Sequence, residues 1–199
     1  MAKIKDHKIN SIFIKYGVMR ARDAEKEGIH HESLRRLVSS GKLERVERGM
    51  YRQPNSLITE NHSYIQASKK VPQGVICLLS ALSYHKFTVQ MPRQVWMAID
   101  IKARLPRKGE LKIKIVRFSR KALTQGIVED IIEGVSVKVY NPAKTVVDCF
   151  KYRHKIGLDV ALEALKDGYR KKKFTMDELW KYAKICRVAN VMRPYMESL

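Results

Sequence analysis

Two glycines, Gly28 and Gly41, bracket a stretch whose apolar residues keep a single pitch. Leu34, Leu37 and Val38 fall at i, i+3 and i+4, so they share one face of a helix from about His31 to Ser40, stopped by Gly41. Upstream, Ile9, Ile12 and Phe13 repeat at helical spacing as far as Gly17, and Ala21 to Glu27 predicts a second short helix ended by Gly28. Downstream, Leu43–Val46 and Met50–Arg52 predict two short strands around Glu47-Arg48-Gly49. Helix, helix, helix, hairpin within about fifty residues is the order of a winged helix-turn-helix.

The polar stretch Gln53-Pro54-Asn55-Ser56 ends this pattern. It divides the chain into a winged-helix module at 1–53 and a larger α/β domain at 54–199, an α+β fold overall. In the larger part a helix is expected over Glu60–Lys70, ended by Pro72, and a buried helix over Val75–Tyr84. Gln94–Ile101, Leu111–Phe118, Ile127–Ile132 and Val135–Tyr140 have the length and β-branched content of strands, with Glu133-Gly134 as a hairpin turn. Helices close the chain. Asn141-Pro142 caps one, Leu158, Ala161, Leu162 and Leu165 stripe another, and Thr175-Met-Asp-Glu178 is a capping box. The last, with Val188, Val191, Met192, Tyr195, Met196 and Leu199 on one face, keeps Pro194 off that face.

Charge narrows the function. The chain has 40 Lys and Arg against 20 Asp and Glu, a formal net charge of +20, and 45% hydrophobic residues, enough for a packed core. Self-repulsion of that size destabilises a compact state and is relieved by a polyanionic partner. Nucleic acid is the expected one. No segment reads as a basic amphipathic helix for a membrane surface, and no apolar run approaches the ~18 residues of a span. Cys77, Cys149 and Cys186 are odd in number and far apart, which predicts neither disulfides nor a zinc site, and a cytoplasmic, reducing location. No cofactor or metal is expected.

With Leu34, Leu37 and Val38 directed inward, the third helix presents Glu32, Arg35, Arg36 and Ser39, with His30 and His31 at its start. A recognition helix reads base edges from its N-terminal residues, and arginine pairs bidentately with guanine O6 and N7. Ser33 and Lys42 are candidates for phosphate contacts. Arg45, Arg48 and Arg52 lie on the predicted wing, Arg48 at its tip beside Gly49. A second basic surface is expected from residues 93–121, which hold ten basic and two acidic side chains. Lys112, Lys114 and Arg117 lie on the expected strand there, and Arg104, Arg107 and Lys108 in the loop before it. A solvated helix or sheet face is the plain alternative for each group.

One enzymatic pattern competes. Asp100 followed by Glu110-Leu-Lys112 matches a loose acidic…Glu-x-Lys spacing, in which two carboxylates hold Mg²⁺ and a lysine assists attack on a phosphodiester. There is no Gly-rich phosphate loop, HExxH or G-x-S-x-G. His85 and the cysteines at 149 and 186 read as core residues. A third class, a module that neutralises a partner protein by direct binding, also stays open.

Gly28-Ile29, Leu34-Arg-Arg-Leu37, Gly41-Lys-Leu43 and Arg48-Gly-Met-Tyr51 resemble the winged helix-turn-helix of AbiEi-type antitoxins. The likeness continues through Gly74-Val-Ile-Cys-Leu-Leu-Ser-Ala-Leu82 with His85, Pro92, Asn141-Pro-Ala-Lys-Thr-Val-Val-Asp148 and Lys155-Ile-Gly-Leu-Asp-Val-Ala-Leu-Glu-Ala-Leu165. The resemblance implies a bacterial type IV toxin–antitoxin or abortive-infection antitoxin, acting in phage defence. It would repress its own operon by binding inverted repeats in double-stranded DNA of the promoter. Its functional partner would be a nucleotidyltransferase-like toxin, opposed by the C-terminal domain without a stable complex. The resemblance favours Arg35 and Arg36 in the groove and Arg48 on the wing.

Overall fold

The computed structural model describes residue 13 and residues 18–54, 61–87, 92–106, 110–132 and 135–199. The helical pattern at Ile9 and Ile12, the linker residues Asn55 and Ser56, the loop cations Arg107 and Lys108, and the turn Glu133-Gly134 lie outside them. The chain forms two compact units: Met1–Pro72 with Arg107–Leu111 and Asp130–Val137, and Gln73–Pro106 with Lys112–Glu129 and Lys138–Leu199.

The first unit is built on a three-stranded antiparallel sheet. Strand β1 (Val18–Arg20) leads into helices α1 (Ala21–Lys26) and α2 (His31–Ser39), followed by β2 (Glu44–Glu47) and β3 (Met50–Arg52). The strand order is β1-β3-β2. The three residues of β1, Val18-Met-Arg20, carry no alternation that predicts a strand; the strand exists by pairing with β3. Gly28 (φ 83°) and Gly41 (φ 70°) end their helices in the left-handed region, where a Cβ is strained. Leu34, Leu37 and Leu43 join Phe13, Met19, Ala24, Ile29 and Tyr51 in one core. A further helix, α3 (His62–Lys70), packs against β1 and is tied to β2 by Lys70 Nζ–Glu47 Oε1 at 2.7 Å. The unit that holds the winged helix therefore extends past residue 53 to Pro72.

A second, five-stranded mixed sheet runs in the order β6-β5-β4-β8-β7, from β4 (Val75–Ile76), β5 (Val95–Asp100), β6 (Ile113–Phe118), β7 (Ile127–Ile132) and β8 (Val135–Tyr140). The single helix expected over Val75–Tyr84 is instead the central strand β4 and a shorter helix, α4 (Leu78–Tyr84). Periodicity does not separate a short, fully buried strand from a buried helix. Here the sheet decides: Val75 and Ile76 pair with Ala98 and Met97, and Ile76 also pairs with Val139. Cys77 N–H donates to Trp96 O, and the chain turns through Leu78 at φ 47°. The remaining helices are α5 (Lys121–Thr124), α6 (Pro142–Lys151), α7 (Arg153–Ile156), α8 (Leu158–Arg170), α9 (Met176–Cys186) and α10 (Ala189–Glu197). Asn141 caps α6 by accepting from Lys144 N–H at 2.8 Å, and the capping box at Thr175 forms as its spacing predicts. Pro194 lies within α10, exposed, while Met192 and Met196 are buried. α6 is enclosed by α4, α8 and α9, and Ala143 to Phe150 are buried without exception. No described helix is long and apolar enough to cross a membrane.

Candidate nucleic-acid interface

Helix α2 buries Leu34 and Leu37, and this fixes what its other face offers. His31, Arg35, Arg36 and Ser39 are exposed, Ser33 is half-buried, and Lys42 is exposed just past the helix. Arg35 Nη1 lies 3.9 Å from Glu32 Oε2, with both side chains more than 70% exposed. A pair so wet and so long holds neither group firmly. Arg36 has no carboxylate partner among the described residues. The Ser39 hydroxyl donates back to Arg36 O at 2.9 Å, which leaves its lone pairs outward.

The strands aim the wing. Residues opposite one another across β1, β3 and β2 share a face, so Met19, Tyr51 and Arg45 stand together on the side that carries the α2 core. Met19 and Tyr51 are buried, whereas Arg45, at the sheet edge, is exposed. The register slips between Arg45 and Glu47, a bulge that turns the chain into the tip, where Gly49 takes φ 76°. Arg48 stands exposed there. His31 and Arg35 of α2, Arg45 of β2, Arg48 and Gly49 of the tip and Tyr51 of β3 line one open cleft of about 460 Å³. Neither Arg45 nor Arg48 has a carboxylate partner among the described residues.

Arg52 is placed differently. Its side chain is 20% exposed, and Nε and Nη2 both donate to Glu44 Oε2, at 2.9 and 2.8 Å. Glu44 and Arg52 face each other across the hairpin, so the pair closes the wing on the face opposite Arg45. Sequence alternation separates the two faces but does not show that a carboxylate waits on one of them.

The basic strand in the second unit is also divided. Lys112 and Lys114 are exposed, and Lys114 Nζ sits 5.3 Å from the centre of the Trp96 ring. Arg117 Nη1 donates to the carbonyls of Asp100, Ile101 and Ala103, at 3.1, 2.6 and 3.0 Å. Its guanidinium therefore fastens the loop after β5. Exposed Arg104 lies further along that loop.

The candidate nuclease centre does not assemble. β5 and β6 run parallel, with Val95 opposite Ile113 and Asp100 opposite Phe118. Asp100 ends β5 level with the last residue of β6, while Lys112 precedes the first. Six residues of strand separate the two levels, roughly 20 Å. The Asp100 carboxylate accepts from Lys102 N–H at 2.8 Å and serves a turn. Among the described residues no three His, Cys, Asp or Glu side chains converge as a metal site.

The core holds a buried ionic cluster that no sequence motif announces. Lys144 and Asp148, one turn apart on α6, are both fully buried, and Lys144 Nζ donates to Asp148 Oδ2 at 2.5 Å. The ammonium also lies 4.1 and 4.8 Å from the ring centres of Tyr140 and Phe118, while Cys186 Sγ donates to Asp148 Oδ1 at 3.5 Å. Burial pushes the thiols of Cys77 and Cys149 well above their ordinary range and that of Cys186 up to about 11, with Asp148 adding to each. All three stay protonated, which suits packing and not nucleophilic chemistry. His85 Nε2 bonds Tyr140 O at 2.6 Å, and burial lowers its basicity, in line with a core histidine. The i, i+4 spacing of Lys144 and Asp148 was the available signal; their burial was not.

Residues 7–54 match the family model described as a transcriptional regulator, AbiEi antitoxin. The match covers the α2–wing cleft and stops before α3. No curated protein matches the chain.

Proposed function

Taking residues 7–54 as an AbiEi-type regulator domain, we propose that this protein is a sequence-specific DNA-binding repressor and the antitoxin of a type IV toxin–antitoxin pair. It binds inverted repeats in its own promoter and acts in the cytoplasm, at the nucleoid. The observation that carries this reading is the cleft in which His31 and Arg35 of α2 meet Arg45 and Arg48 of the wing. Cations on a helix and a hairpin that flank one opening suit a duplex, with the helix in the major groove and the tip at the backbone or minor groove. Arg35 and Arg36 read base edges. Ser33, Ser39 and Lys42 contact phosphate, and Arg45 and Arg48 hold the wing side.

The second unit opposes a nucleotidyltransferase-like toxin without a lasting complex. Support for this part is the likeness of its Gly74–Leu82, Asn141–Asp148 and Lys155–Leu165 segments to AbiEi-type antitoxins.

Replacing Arg35 or Arg36 by Ala is expected to cost about 1–3 kcal/mol of operator affinity and to relax sequence choice at the contacted positions. Footprinting and titration on the promoter duplex measure both. Unchanged footprint and affinity in both variants would remove α2 from the groove.

A further inference from the structure

The topology of the first unit gathers three cations beside the wing tip. β1 is an edge strand, and its last residue, Arg20, lies opposite Met50 of β3. Ala21 N–H donates to Gly49 O at 2.9 Å, so the stretch from Arg20 to Arg22 is attached to the tip itself. α3 packs against the same strand and brings Lys69 within electrostatic reach of Arg20 and Arg22. Arg20 and Lys69 are half-buried and Arg22 is exposed.

Their neighbour shows what is missing. Lys70, next on the helix, is satisfied by Glu47 at 2.7 Å. Neither Arg20 nor Lys69 has such a carboxylate among the described residues. Asp23 faces the group, but its oxygen lies 3.7 Å from Arg22 Nε. Among the described residues three positive charges thus share one negative one, and two of them are partly withdrawn from water. Desolvation and mutual repulsion lower the basicity of both Arg20 and Lys69 against the pull of Asp23. Such a cluster is unfavourable in the free protein and becomes favourable when an anion completes it.

We propose that Arg20, Arg22 and Lys69 form a phosphate-binding site that grips the operator backbone beside the wing. The proposal rests on the DNA-binding reading above. Its ligand is a phosphate group, and continuity with the tip that carries Arg48 assigns that group to the duplex. No pattern in the sequence marks this site, since the three residues of β1 show no alternation and Lys69 stands 49 positions from Arg20.

The test uses Arg20→Gln and Lys69→Gln in the full chain, with Lys69→Arg as the charge-retaining control. Binding is titrated on the promoter duplex and on an unrelated duplex, from about 50 to about 300 mM salt. Each Gln variant is expected to lose about five- to tenfold in affinity near 0.1 M salt on both duplexes. Its log–log salt slope should fall by about one, with operator preference unchanged and Lys69→Arg close to wild type. A Gln variant that fails to fold, as judged by circular dichroism, is replaced by Arg22→Gln at the exposed position. Gln variants that keep the wild-type slope overturn the site, while a wild type that still selects its operator leaves the recognition helix standing. Loss of operator preference in Lys69→Gln also overturns it, since that marks base reading. Inorganic phosphate binding by calorimetry, with DNA slopes unmoved, reassigns the cations to a free anion and rejects the backbone contact. A wild type that binds no duplex overturns this site and the proposed function together.

Discussion

Inside α6, Lys144 and Asp148 spend their charges on each other, with the Tyr140 and Phe118 rings around the ammonium. The arrangement tolerates burial only because both partners are present. Removing one leaves an unpaired ion among apolar side chains, a loss of about 3–5 kcal/mol, whereas replacing both by apolar residues of similar volume is often neutral. Lys144→Met or Asp148→Leu alone is therefore expected to destabilise the protein by about that amount, and the double variant to recover most of it. Urea unfolding followed by far-UV circular dichroism measures the difference. A double variant no more stable than either single one would show that the pair contributes beyond mutual neutralisation. The sequence contains the spacing of this pair and the stripe Val146, Val147 and Phe150. It does not show that α4, α8 and α9 cover the remaining sides, because that is decided by packing between distant segments.

At the scale of elements, the wing separates arginines that look alike in the chain. Arg45 and Arg48 reach solvent, while Arg52 ties β3 to β2 through Glu44. Arg52→Ala should lower the melting temperature of the first unit and cost up to about 1 kcal/mol, with little change in which sequences are bound. Arg48→Ala should leave the melting temperature in place and weaken DNA binding on all duplexes. A thermal melt and a paired titration separate the two; an Arg52→Ala protein that melts normally and loses operator preference would return Arg52 to the DNA surface. The helix–helix–hairpin order of residues 21–52 was legible because each piece carries its own punctuation, Gly28, Gly41 and the Arg48-Gly49 turn. β1 and β4 were not, since strands of three and two residues take their identity from partners far along the chain. The cleft was legible in its components and not in its assembly, which depends on the bulge at β2 and on the pairing of Arg45 with Tyr51 across β2 and β3.

For the whole molecule the question is how the surplus of +20 is distributed between structural and binding roles. Arg52, Lys70 and Lys144 are each matched by a carboxylate, so those pairs leave the surplus unchanged, whereas Arg117 gives its donors to backbone carbonyls and is the one of the four that the net charge counts as free for phosphate. Lys112 and Lys114 remain exposed at the start of β6. If the second unit follows the backbone beyond the recognition helix, Lys112→Gln with Lys114→Gln lowers affinity equally on all duplexes and reduces the log–log salt slope by up to about two. Arg117→Gln should not join them: it loosens the loop after β5 and leaves the slope alone. A salt slope untouched by the lysine pair confines the DNA surface to the first unit, and the cations of the sheet then serve solubility or the toxin side of the function. A slope that falls for the lysines and not for Arg117 assigns both units to the duplex, because counterion release counts only charges that meet phosphate.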